Sequence, residues 1–204
     1  VVQIKKPELR EAILASAFEL FSRQGYAGTT LPQIAKGAGV SPGTVYTYFG
    51  SKLEVLYALY DPWLRQRIVR LERRLARIAS PRERLRTLLR ALWLEIPREN
   101  NGFANNVMQA ISTAGPEERY DPQLLVWVEE RIAAMIREAL PPARRRLLGT
   151  PWFSHVLMMA FDGFVIGHHL RPDRPCSDAT VELMCRLILG ERRSAICHVA
   201  PRRR

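Results

Sequence analysis

The chain has 204 residues, 47% hydrophobic and 25% charged, with a net charge of +11. That length allows one large domain or two modest ones and enough apolar sequence for a core that needs no covalent staples. Cys176, Cys185 and Cys197 are odd in number and lack the CxxC spacing of a zinc or redox site, and no apolar run reaches the roughly eighteen residues of a membrane span. The opening, VVQIKKPELREAIL, lacks the apolar run of an export signal. The expectation is a soluble, cytoplasmic protein in a reducing compartment.

The positive charge is unevenly spread. Residues 1 to 52 carry six basic and three acidic side chains, whereas arginine is densest between Arg65 and Arg98, and Arg202 to Arg204 end the chain. Arginines on solvated helix faces explain the first of those clusters more simply than a second nucleic-acid surface, so net charge lends a nucleic-acid reading only weak support.

Helical periodicity dominates and no alternating strand pattern is found, which predicts an all-α fold of about nine helices, three small ones first and longer ones after. The first helix is expected from Pro7 to Gln24. Proline suits its first turn, Glu8 and Glu11 favour the positive end of its dipole, and Gly25 suits the stop. Leu9, Ile13, Ala17, Leu20 and Phe21 form its apolar stripe.

Thr30 then caps a helix starting at Leu31, and Gln33 completes a capping-box spacing. Leu31, Ile34, Ala35 and Ala38 share one helix face, Gly39 supplies a permissive turn, and Ser41-Pro42 restart a helix whose Val45 and Phe49 point into the core. Counted from Leu31, the fifth residue (Ala35) must be small where two helices touch. The ninth (Gly39) must accept the turn geometry, and the fifteenth (Val45) must be a modest apolar plug. This is a helix-turn-helix.

Gly43, Thr44, Tyr46, Thr47 and Tyr48 are left on the other faces of the second helix. Threonine hydroxyls and methyls suit base edges, Gly43 lets a backbone approach, tyrosine hydroxyls reach phosphates, and Lys52 at the next helix start suits a phosphate.

Beyond it, Asp61-Pro62 interrupts a helical stretch from Ser51 to about Ile78 and predicts a kink or a break. Ser80-Pro81 with Glu83 opens another helix, Asn100 to Gly102 ends the pattern, and Gly115-Pro116 and Asp121-Pro122 bracket a loop. Pro141-Pro142 ends a further helix. Thr150-Pro151 opens an apolar one from Trp152 to about Leu170, and after Arg171 to Pro175 the last begins near Ser177 or Asp178.

The segment GYAGTTLPQIAKGAGVSPGTVYTYFGSKLEVL, behind an amphipathic helix, resembles the DNA-binding domain of the tetracycline-repressor (TetR) family of bacterial regulators, in detail over roughly residues 7 to 60. The resemblance implies phosphate contacts from Thr30, Ser41, Tyr48 and Lys52 and base or backbone contacts from Gly43, Thr44, Tyr46 and Thr47. It also implies a helix-turn-helix DNA-binding domain over residues 1–52 and a helical effector-binding and dimerisation domain over residues 53–204. The expected function is a homodimeric repressor on a palindromic operator of double-stranded DNA, released by a small, largely apolar or aromatic ligand.

In the second domain Trp93, Phe103, Asn106, Met108, Trp127, Met135, Met159 and Phe161 offer large apolar side chains with a polar group for such a ligand, although each is individually better explained by core packing. The resemblance implies that the last two helices pair with a partner's two, and Gly163 and Gly167 suit either close approach there or relief of crowding within one subunit. His168 and His169 are adjacent and cannot face one way, and His155 with Asp162 has no persuasive ligand spacing, so no metal or cofactor is expected. Nothing marks the cysteines as reactive. An enzyme reading lacks a nucleophile-base pair, a phosphate-cradling glycine loop or a functional carboxylate pair. A DNA-coating protein is separated from a regulator by whether its footprint depends on sequence.

Overall fold

The computed structural model describes residues 6–98, 102–113, 122–170 and 176–191, with Leu147 and residues 166–170 described by backbone alone. Among them there is no strand. The helices are α1 (Pro7–Gly28), α2 (Leu31–Gly37), α3 (Pro42–Tyr48), α4 (Lys52–Ala76), α5 (Pro81–Arg90), α6 (Phe103–Thr113), α7 (Gln123–Ala139), α8 (Pro142–Leu148), α9 (Pro151–Leu170) and α10 (Asp178–Leu189). This is one more than the periodicity predicts, because the short α8 is a separate helix.

The helix starts follow local chemistry. The hydroxyls of Ser41, Ser51, Ser80 and Ser177 each accept the backbone N–H three residues on, at the N-caps of α3, α4, α5 and α10. Each such cap contributes about 1 kcal/mol. Gly190, at φ 71°, closes α10 in the left-handed conformation.

Two expected interruptions turn out differently. Gly25 does break α1, with φ 74° and ψ 172°, but a further turn resumes to Gly28. Pro62 does not break α4, which continues as one helix to Ala76. The proline ring crowds the carbonyl four residues back, and both Ala58 and Pro62 border a cavity of ≈ 470 Å³ that gives this turn room on one side.

After α5 the chain passes into a wide π-helical turn, Ala91–Glu95, and a 3-10 turn, Ile96–Arg98. Trp93 is buried there, its Nε1–H donating to the Leu157 carbonyl of α9 at 3.3 Å.

One core runs through the molecule. Ile13, Ala17 and Phe21 of α1 are buried, while Leu9 and Leu20 of the predicted stripe are only half-covered. They pack with Ile34 and Ala35 of α2, Val45 of α3 and Leu53 and Leu56 of α4, and the same cluster continues through α5, α6, α7, α9 and α10. The long α4 contacts α1 at one side and α5, α6 and α7 at the other, so the three N-terminal helices sit on the helical body without a separate linker.

Candidate nucleic-acid interface

The turn between α2 and α3 is built as the residue spacing requires. Ala35 and Val45 are buried and Gly39 has φ 68°. Ser16 of α1 donates its hydroxyl to the Ile34 carbonyl at 2.9 Å, and a Cβ at Gly37 would collide with that same hydroxyl. α1 therefore approaches α2 so closely that residue 37 must lack a side chain.

Val45 and Phe49 anchor α3 by its inner face, and the opposite face is presented outward. Tyr46 is 59% exposed. Gly43 is exposed, and a Cβ there would meet only the Ser41 hydroxyl at 3.7 Å. Thr44 and Ser41 share a hydroxyl–hydroxyl hydrogen bond of 2.9 Å, and the Thr47 hydroxyl donates to the Gly43 carbonyl at 3.0 Å. That bond uses the only side-chain donor of Thr47 and leaves its methyl and acceptor lone pairs uncommitted by it.

Thr30 closes a reciprocal capping box. It accepts from the Gln33 N–H at 3.4 Å, and the Gln33 side-chain oxygen accepts from the Thr30 N–H at 2.8 Å. Gln24 of α1 adds its amide to that oxygen at 3.3 Å.

Two residues expected at phosphates have intramolecular work. The Tyr48 hydroxyl accepts from the Lys6 backbone N–H at 2.6 Å and donates to the Lys6 carbonyl at 3.1 Å, pinning the start of α1 against the end of α3. The Lys52 ammonium donates to the carbonyls of Tyr26 and Thr29 at 2.8 and 2.9 Å and lies 4.0 Å from the centre of the Tyr26 ring. It caps the last turn of α1, where the dipole favours a cation.

The residues expected at a ligand are scattered. Phe103 is buried edge-on against Phe18, Tyr60 and Trp63. Phe161 and Met135 are buried, Met108 is half-buried, and Trp93 stacks obliquely on Phe164. The Trp127 ring lies under two guanidinium groups, those of Arg65 and Arg131, at 4.6 and 5.2 Å. The position of Met159 follows from the geometry of α9. Leu157, Met158, Phe161 and Val165 face inward, which turns Met159 outward at 61% exposure.

Asn106 is likewise committed elsewhere. Its side chain is buried and bonds the backbone of α1 on both sides of the Gly25 break, accepting from the Tyr26 N–H at 2.8 Å and donating to the Phe21 carbonyl at 3.2 Å. Gln109, one turn on, accepts from the Ala27 N–H at 3.2 Å. Residue spacing offers no sign of this joint beyond the presence of Gly25.

The helical body also holds acidic groups. Burial, reinforced by the Glu129 charge and opposed by His155, pushes the Asp162 carboxyl up to about 6. His155 Nδ1 and Glu129 Oε1 are 2.7 Å apart. Burial, with the Asp162 charge, also raises the Tyr60 phenol above its ordinary value. Burial raises the Cys185 thiol to about 11, which keeps it protonated and unreactive at neutral pH. Among the described residues no group of three or more His, Cys, Asp or Glu side chains could hold a metal ion, and no helix is long and apolar enough to cross a membrane. His168, His169, Gly167 and Cys197 lie outside the described side chains.

A helix-turn-helix with a solvent-facing second helix, seated on a larger helical body, defines the class of helix-turn-helix regulators. Residues 13–59 match the model of the bacterial regulatory proteins of the tetR family, which supports a TetR-type transcriptional regulator.

The HTH-type transcriptional regulator HbdR of Aromatoleum sp. (strain CIB) is 38% identical over 86 residues, 42% of this chain and 36% of that protein. The chain thus aligns with well under two thirds of that relative. The crystal structure of the TetR family transcriptional regulator PfmR from Thermus thermophilus is 26% identical with a TM-score of 0.59, covering 88% of this chain and 95% of that one. FadR from Bacillus subtilis in complex with stearoyl-CoA shares the fold, with a TM-score of 0.62 at 19% identity over 88% of this chain and 97% of that one.

Proposed function

We propose that this protein is a homodimeric repressor whose residues 1–52 read a palindromic operator and whose residues 53–204 bind a small, largely apolar ligand and form the dimer. The observation that carries the DNA reading is α3. Its buried Val45 and Phe49 fix the helix, and its outward Gly43, Thr44, Tyr46 and Thr47 offer a close backbone approach, hydroxyls, a methyl and an aromatic ring to a major groove. Thr30, Ser41, Tyr48 and Lys52 flank that face. In this reading Lys52 acts at the phosphates through its field while its ammonium holds α1.

The dimer reading is supported by an apolar stripe on the outer side of α9 and α10. Trp152, Val156, Met159 and Gly163 fall within about 60° of one another around α9. Trp152 is 79% exposed, and a Cβ added at Gly163 would meet nothing within 4 Å. Leu183 and Leu187, one turn apart on α10, are exposed as well. Large exposed apolar groups in such a row suit an isologous contact with a second copy.

An apolar effector is supported by the aromatic group of Phe18, Tyr60, Trp63 and Phe103, and by the stearoyl-CoA held by the structurally similar FadR. Phe103 stands on α6 one turn before Asn106. A ligand that displaced α6 would pull on the Asn106 and Gln109 bonds to α1 and rotate the reading helices away from half-sites about 34–36 Å apart.

Selection from random duplexes at moderate salt tests this reading. Recovery of a palindrome, bound by two chains and released by an acyl or aromatic compound, supports it. Binding to all duplexes alike would instead indicate a DNA-coating protein and overturn it.

A further inference from the structure

The far half of α4 carries a second feature that the regulator reading does not use. Arg67, Arg70, Arg74 and Arg77 are spaced three or four residues apart, which places them within an arc of about 80° along about 15 Å of helix. They border two adjoining surface cavities of ≈ 200 and ≈ 450 Å³, which share Arg70 and Arg74 and have apolar floors that include Leu71, Ile78 and Ile96. Arg73 joins the rim of the larger one, and among the described residues Glu95 is the only acid lining either.

Several other surface arginines of this body are paired. Arg82 meets Glu182 and Glu191, Arg90 meets Asp178, and Arg131 meets Glu72. Glu95 is taken by Arg74 at 2.8 Å. Arg70, Arg73 and Arg77 have no carboxylate partner among the described residues. Like charges one helical turn apart repel and cost helix stability, so the stripe is poised to gain from a bound anion.

We infer that this cleft is a binding site for a small molecule carrying two or more linked phosphate groups. Guanidinium forks bind phosphate oxygens in pairs, and several forks along one face match a chain of phosphates better than a single ion. The cavities are of small-ligand size, and the apolar floor suits an organic moiety beside the phosphates. The operator cannot be the occupant in the same complex. Fifteen to twenty-five residues of α4, about 22–37 Å, separate the stripe from Lys52 at the reading end.

The test is calorimetric titration of the full chain with inorganic tripolyphosphate and with orthophosphate at matched ionic strength. The expected result is one tripolyphosphate per chain, bound at least about tenfold tighter than orthophosphate, and at least about tenfold weaker in Arg70→Gln/Arg77→Gln but not in Arg137→Gln. Protection mapping with phenylglyoxal on the unaltered protein gives an answer that needs no variant, with tripolyphosphate shielding Arg70 and Arg77 but not Arg137. Equal affinity for the two anions, or absence of that shielding, overturns the proposal. So does heparin binding that needs these arginines when tripolyphosphate does not bind, which would mark a surface for a macromolecular polyanion.

Discussion

The side-chain oxygen of Asn106 accepts the backbone N–H of Tyr26 at 2.8 Å across eighty residues of sequence, and its amide nitrogen donates to Phe21 on the far side of the Gly25 break. The break in α1 frees backbone groups that the helix would otherwise satisfy, and one buried amide takes two of them. Asn106→Leu leaves both unpaired in a buried setting, so stability should fall by about 2–4 kcal/mol. Urea unfolding checks this, and Gln109→Ala, which loses a more exposed bond, should cost less than half as much.

Gly25 is held to glycine by conformation and by space. Its φ of 74° with ψ of 172° is a region that side chains rarely adopt, and a Cβ would stand 3.2 Å from the Gln109 side-chain oxygen. Gly25→Ala should lower stability by about 1–3 kcal/mol. Thermal melts should show the loss persisting in a Gln109→Ala background, because the backbone strain remains when the neighbour is shortened.

Lys52 should prove structural as well as electrostatic. Lys52→Met removes the charged donor from the carbonyls of Tyr26 and Thr29 and should cost about 1–3 kcal/mol in chemical denaturation. Tyr46→Ala, on an exposed site, should leave the melting temperature within about 1–2 °C. It should still weaken operator binding at least about tenfold in fluorescence anisotropy.

The Asp162 carboxyl gives the fold a pH dependence of defined sign. With its value raised to about 6 by burial and by Glu129, the folded chain holds a proton there that the unfolded chain has already released above about 4. Its contribution to stability is therefore fully present below about 4 and is lost as pH rises through about 6. Because the group is partly solvated, the loss is about 1 kcal/mol. Asp162→Asn should raise the melting temperature by about 2–4 °C at pH 7.5 and by little at pH 4.

The outer stripe of α9 and α10 should govern assembly. Trp152→Glu combined with Leu187→Glu places charges on exposed sites that the isolated subunit tolerates. Light scattering should shift from two chains to one, with the helical circular dichroism retained. A wild-type chain that is monomeric at micromolar concentration would remove the dimer reading.

The sequence alone determined the parts of this protein whose physics is local. A hydroxyl three residues before a free N–H makes a cap wherever the chain goes, so the starts at Thr30, Ser41, Ser51, Ser80 and Ser177 were legible. So was the turn, because the small, glycine and valine positions at 35, 39 and 45 are constraints between neighbours in sequence. The outward face of α3 followed from the burial of Val45 and Phe49.

Where the longer side chains place their polar groups depends on contacts made through the fold. Lys52 reaches α1, Tyr48 holds Lys6 and Asn106 bridges to α1 because segments tens of residues apart are packed together, and no spacing rule encodes that meeting. The same holds for Met159, which looks like its buried neighbour Met158 in composition and hydrophobicity. Its exposure depends on the direction from which α7 packs against α9.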